Sequence, residues 1–151
     1  KSPFRYIYLI TLFFLAITGF GQMPIFKRYY IADIPGFGWL AKFYITHYIH
    51  YLCAALILGI FAFTLIEYLM IYKKDYKITV SGYVRCTLLA ALAITGTLLV
   101  IKNFTGYWLS PGVIIFLDFS HLGLTVIFLM VALYCLIFKK KYQRIDDKSF
   151  Q

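Results

Sequence analysis

The sequence predicts an all-α membrane protein, a four-helix transmembrane bundle with both termini on the cytoplasmic side. Three observations predict it. Hydrophobic residues make up 62% of the 151 residues and charged residues 14%, with a mean hydropathy of +0.80. A soluble domain runs near half apolar and a quarter charged, so this chain has too little polar surface to stay in water. The apolar residues gather into four runs, each close to or beyond the ~20 helical residues that cross a bilayer core. Lysine and arginine are unevenly shared between the two sides those runs define. Aromatics reach 21%, and many of the 14 tyrosines sit at the ends of apolar runs, where amphipathic rings lie at membrane interfaces. The length allows one transmembrane domain over residues 1–151 and no second.

The first span runs over about residues 6–21. It ends at Gly19 and Gly21, and the helix exit Gly19-Phe-Gly-Gln-Met-Pro follows where a signal peptide would need a small-residue cleavage site. A polar loop with Pro and Gly continues to about Gly38. The second span, about 43–72, is long enough to project beyond the membrane. Lys73-Lys74-Asp75-Tyr76-Lys77 is a short polar turn before the third span at about 80–101. Lys102 to Ser110 form the next loop. Pro111 then opens the fourth span, about 111–138, at a first-turn position that proline tolerates well. The polar tail from Lys139 is expected to fray.

Orientation follows from the basic residues near the span ends. Lys1, Arg5, Lys73, Lys74, Lys77, Arg85, Lys139, Lys140, Lys141, Arg144 and Lys148 fall on one side, against Lys27, Arg28, Lys42 and Lys102 on the other. Eleven against four places both termini in the cytoplasm. The same distribution explains the +9 charge without nucleic acid, since no basic face or recognition motif accompanies it. Cys53, Cys86 and Cys135 lie singly inside apolar runs and read as small buried hydrophobes. No nucleophile–base pair, phosphate loop or zinc spacing is present, so nothing points to a hydrolase or transferase site of the soluble type.

A short repeat runs through the chain. Ala16-Ile-Thr-Gly19 recurs as Ala93-Ile-Thr-Gly96, each near the end of an outward-running span. Each is followed by an inward-running span with histidine in its first few turns, which makes a two-plus-two duplication plausible.

All three histidines, His47, His50 and His121, lie in spans, and ionisable residues inside a membrane are functional candidates by default. His50 follows Phe43 by seven residues and His121 follows Pro111 by ten. These separations are about 10 and about 15 Å of helix at 1.5 Å per residue. Two imidazoles at similar depth on two spans suit the axial positions of one bis-histidine haem b. No CxxCH is present for covalent attachment. Gly19, Gly96, Ala54, Ala55 and Gly59 are small enough for a flat ring to approach backbone, or for ordinary close helix packing. His47, one turn outward from His50 on nearly the same face, is the alternative ligand, or a partner for a haem propionate or a quinone carbonyl.

These residues resemble the cytochrome b membrane subunits of formate dehydrogenase, nickel–iron hydrogenase and thiosulfate reductase. The resemblance runs from Arg5 to about Phe138. It rests on Leu15-Ala-Ile-Thr-Gly19, on Ile49-His50 followed by Ala54, on Thr95-Gly96, and on Pro111-Gly-Val-Ile-Ile-Phe-Leu-Asp-Phe-Ser-His121. It implies that His50 and His121 hold a haem towards the outer side of the membrane. His47 stands where the family often has an arginine for a propionate. The family's second haem would take ligands near Arg5 or Tyr6 and near Cys135, where no histidine exists, so one haem is expected. The resemblance further implies an electron-transfer subunit rather than a stand-alone catalyst. It would lie in the cytoplasmic membrane of a bacterium or archaeon, working between a quinone and an iron–sulfur or multihaem cytochrome subunit.

The remaining polar residues have plainer readings. Asp118, one turn outward from His121, is a candidate proton relay or a partner for Lys102. Glu67 and Arg85 are expected to snorkel. Lys27, Arg28, Tyr29 and Tyr30 form a basic–aromatic patch, read as an interfacial anchor with a docking surface as the sharper alternative. Two other functions compete with the cytochrome: a haem-free anchoring or assembly subunit, and a small transporter. The transporter ranks last because the spans lack the Pro or Gly clusters at mid-depth that mark broken helices.

Overall fold

A computed structural model describes residues 3–23, 25–104, 106 and 108–145, with the side chains of 3 and 27 outside the description. Lys1, Lys148 and the tail beyond 145 therefore lie outside the described residues, as does the side chain of Lys27. Four long helices dominate: α1 (Pro3–Gly21), α3 (Phe43–Met70), α4 (Val80–Ile101) and α5 (Pro111–Ile137). All four are long and apolar enough to cross a membrane, and the protein is a multi-pass membrane protein. Large apolar side chains such as Phe13, Leu52, Phe116, Phe119 and Met130 stand exposed along them, as suits surfaces solvated by lipid rather than water.

The helix ends have local causes. Thr79 caps α4, its Oγ1 accepting from the Gly82 N–H at 3.0 Å. Ser110 caps α5 ahead of Pro111 in the first turn. Hydroxyl N-caps and an N1 proline satisfy or remove the orphan donors of a helix start. The last span closes in a Schellman turn. Lys139 takes φ 51°, the Lys140 N–H bonds the Cys135 carbonyl at 2.9 Å, and the Lys139 N–H bonds that of Leu136 at 3.3 Å.

The chain packs as two compact units, Lys1–Tyr68 and Leu69–Gln151. Each contains one antiparallel helical hairpin. In the first, α1 lies along α3: Phe4 stacks on Phe63 at 5.7 Å at one end, and Gln22 bonds His47 at the other. The connection between them is more ordered than a polar loop. It holds the short helix α2 (Ile25–Arg28) and single 3-10 turns at Ile31–Asp33 and Gly38–Ala41. Leu40 anchors this segment at 1% exposure. A Cβ on Gly21 would come 3.1 Å from its Cδ2.

In the second unit α4 runs antiparallel to α5, and the tail departs from expectation. Residues 140–145 are not frayed. Strand β2 (Gln143–Ile145) pairs antiparallel with β1 (Tyr76–Ile78), Lys77 opposite Arg144. Arg85 does not snorkel either. It is 7% exposed, donates from Nε to the Ser81 carbonyl at 3.0 Å and from Nη2 to the Lys140 carbonyl at 3.3 Å, and lies 3.4 Å over the Tyr142 ring. The returning tail brings the Lys140 carbonyl to the buried guanidinium, which has donors to spare for it. Thr79 Oγ1 and Ser81 Oγ add bonds to the Lys141 carbonyl at 2.7 and 3.1 Å.

Candidate functional site

Each hairpin builds the same arrangement around one histidine. In the first, the Thr18 hydroxyl of α1 lies 3.2 Å from His50 Nδ1 on α3. The ring edge rests over Gly19, where an added Cβ would come 3.2 Å from Cε1. In the second, the Thr95 hydroxyl of α4 lies 2.9 Å from His121 Nδ1 on α5, and a Cβ on Gly96 would again come 3.2 Å from Cε1. The threonines also bond their own helices, to the Phe14 carbonyl at 2.6 Å and the Ala91 carbonyl at 3.0 Å. Thr18 is fully buried; Thr95 and both histidines are half-buried.

The match extends beyond these contacts. On α3 the buried residues are Thr46 and Ile57. On α5, Leu117 and Phe128 are buried, and each pair stands at the same offsets from its histidine: four before and seven after. The repeated tetrapeptide thus reflects a repeated packing unit, as a two-plus-two duplication requires.

His47 takes a different place. Its Nδ1 lies 3.1 Å from Gln22 Oε1, and its ring lies between Phe43 and Tyr51, at 5.0 and 4.2 Å between centroids. The equivalent position in the second hairpin is Asp118, which pairs with Lys102 at 3.2 Å. Each hairpin therefore carries a second polar pair about one turn outside its histidine. Asp118 has the ion-pair role, on an exposed surface where such pairs contribute ~0–1 kcal/mol.

Of the small residues read as room for a flat ring, Gly19 and Gly96 lie directly against imidazole edges, while a Cβ on Gly59 would meet nothing within 4 Å. Cys135 is buried at 3% exposure, and Glu67 is half-buried in the last turn of α3. Tyr29 and Tyr30 are strongly exposed, with Arg28 6.0 Å over the Tyr29 ring. The sequence alone does not assign Thr18, Thr95 and Gln22 to the histidines. The signal for the threonines was the repeated Ala-Ile-Thr-Gly itself.

The donor set has a definite chemical range. Among the described residues no three His, Cys, Asp or Glu side chains converge, so an ion held wholly by such side chains has no cage there. No family model matches this chain, and no curated protein or solved structure gives a significant match.

Proposed function

We propose that this chain is the b-type haem subunit of a membrane oxidoreductase, carrying electrons between a quinone in the bilayer and a redox subunit at the outer face. One observation carries the reading: the same Thr–His–Gly constellation is built twice, once per hairpin. A single intramembrane histidine bonded to a neighbouring helix is unremarkable packing. Two in matched surroundings supply the number of imidazoles that a bis-histidine porphyrin iron requires.

His50 and His121 are the axial ligands in this reading, and Gly19 and Gly96 admit their ring edges. Haem, when bound, supplies reversible one-electron chemistry at its iron. The chain's own work is to hold two imidazoles and exclude water with apolar spans. With no fourth histidine, one haem per chain is expected. His47, held by Gln22, stacked on Phe43 and tilted against Tyr51, sits outward as a polar contact rather than a ligand in this reading. The partners of this reading are lipid, quinone and an iron–sulfur or multihaem cytochrome subunit. Its location is the cytoplasmic membrane of a bacterium or archaeon.

A second reading has its own support. Both histidines bond a hydroxyl on the neighbouring helix, which is what a haem-free anchoring or assembly subunit would use them for. Spectra of the purified full chain separate the two. One haem b per chain by pyridine haemochrome, with sharp low-spin α and β bands lost in His121→Ala, is the expected result. A colourless, folded chain from haem-replete cells would leave the anchor. A full low-spin spectrum in His121→Ala would break the ligand assignment.

A further inference from the structure

We infer that Thr18 and Thr95 are positioning residues that hold His50 and His121 as the Nδ1–H tautomer. The argument is a count of protons. A threonine hydroxyl has one proton to donate and lone pairs to accept with. In the first hairpin the hydroxyl lies 2.6 Å from the Phe14 carbonyl oxygen. A carbonyl only accepts, so the hydroxyl proton is committed to it. What Thr18 then offers His50 Nδ1 at 3.2 Å is a lone pair, and the bond forms only if Nδ1 carries the proton. The second hairpin repeats the logic. The Thr95 hydroxyl donates to the Ala91 carbonyl at 3.0 Å and accepts from His121 Nδ1 at 2.9 Å. In a neutral imidazole protonated on Nδ1, the ring lone pair is on Nε2.

Glycine completes the device. Gly19 and Gly96 sit beside Cε1, the carbon between the two nitrogens, where a Cβ would stand 3.2 Å away. Each ring is thus held by a hydroxyl at Nδ1 and a bare backbone at Cε1. The consequence for function rests on the haem reading, but the geometry does not. An outer partner of this kind orients a ligating histidine and raises its basicity. The carbonyl–hydroxyl–imidazole chain also polarises cooperatively. With haem bound, both effects would push electron density towards its iron and favour the oxidised state.

The test uses the full-length chain and two readouts. The first is nitrogen-15 NMR of the histidine-labelled, haem-free protein in lipid nanodiscs. Expected are protonated Nδ1 and unprotonated Nε2 at His50 and His121. Thr18→Val should disturb only the first ring and Thr95→Val only the second, while Thr18→Ser and Thr95→Ser keep the wild-type pattern. An Nε2-protonated ring at either position in the wild type, or a pattern unmoved by both valine variants, overturns the inference whatever the haem content. The second readout is haem affinity and midpoint potential. Each valine variant should bind haem roughly 10–100-fold more weakly and at a higher potential, with serine restoring both. Valine variants with wild-type affinity and potential also overturn it. A chain that shows both Nδ1–H rings yet binds no haem upholds the threonine assignment and sinks the cytochrome reading instead.

Discussion

Thr18 and Gly19 meet His50 from consecutive positions of one helix, and Thr95 and Gly96 meet His121 in the same way. Consecutive helical residues point about 100° apart, so a side chain and a bare Cα can touch different edges of one ring. The glycines give a prediction that separates site from stability. Alanine favours a helix interior over glycine by about 1 kcal/mol, but its Cβ would press on Cε1 until the ring moves by a few tenths of an ångström. Gly19→Ala and Gly96→Ala should therefore leave thermal stability unchanged or raised while lowering the haem retained, read by unfolding curves and pyridine haemochrome. Wild-type haem content in both variants would show that the ring does not depend on the bare backbone.

Among the elements, the pairing of β1 with β2 is the feature least expected of an all-α chain. It exists because the chain after α5 turns back at Lys139 and is held by Arg85, Thr79 and Ser81 from the first turns of α4. Gly82 is the point of closest approach: a Cβ there would collide with the Tyr142 carbonyl oxygen and lie 2.8 Å from Ile78 Cγ2. Arg85→Lys should lose the forked hydrogen bonding and the flat stack on Tyr142. Loss of hydrogen bonds to a charged donor costs about 1.5–3 kcal/mol. Arg85→Lys and Gly82→Ala should both speed amide hydrogen exchange across residues 143–145 without changing the haem binding proposed for His50 and His121. Unchanged protection of those amides in both variants would mean that the tail is held by the strand pair alone.

At the scale of the whole molecule, we propose that the four spans leave both termini on one side of the membrane and that the excess of Lys and Arg around the turn at 73–77 and the tail makes that side the cytoplasm. Tags at the two ends should both be shielded from a membrane-impermeant probe in intact cells and become reachable only on lysis. Labelling of either end in intact cells would reverse the orientation and place the histidine ends of α3 and α5 on the cytoplasmic side. The electron route of the proposed function would then have to reach a partner there.

The sequence by itself determined the spans, because composition and caps are local properties. The expected ranges 6–21, 43–72, 80–101 and 111–138 lie within a few residues of the helices Pro3–Gly21, Phe43–Met70, Val80–Ile101 and Pro111–Ile137. It also marked His50 and His121 through rarity and depth, and the duplicated tetrapeptide through self-similarity. Only the tertiary structure decided which groups meet: Thr18 with His50, Thr95 with His121, Gln22 with His47, Lys102 with Asp118 among the roles the sequence left open for that aspartate, and Arg85 with the returning tail. Those partners lie 32, 26, 25, 16 and 55 residues apart in the chain. Hydropathy and periodicity report how a residue relates to its neighbours within a few turns. They carry no register for one helix against another, and a hydrogen bond between helices depends on that register to within an ångström.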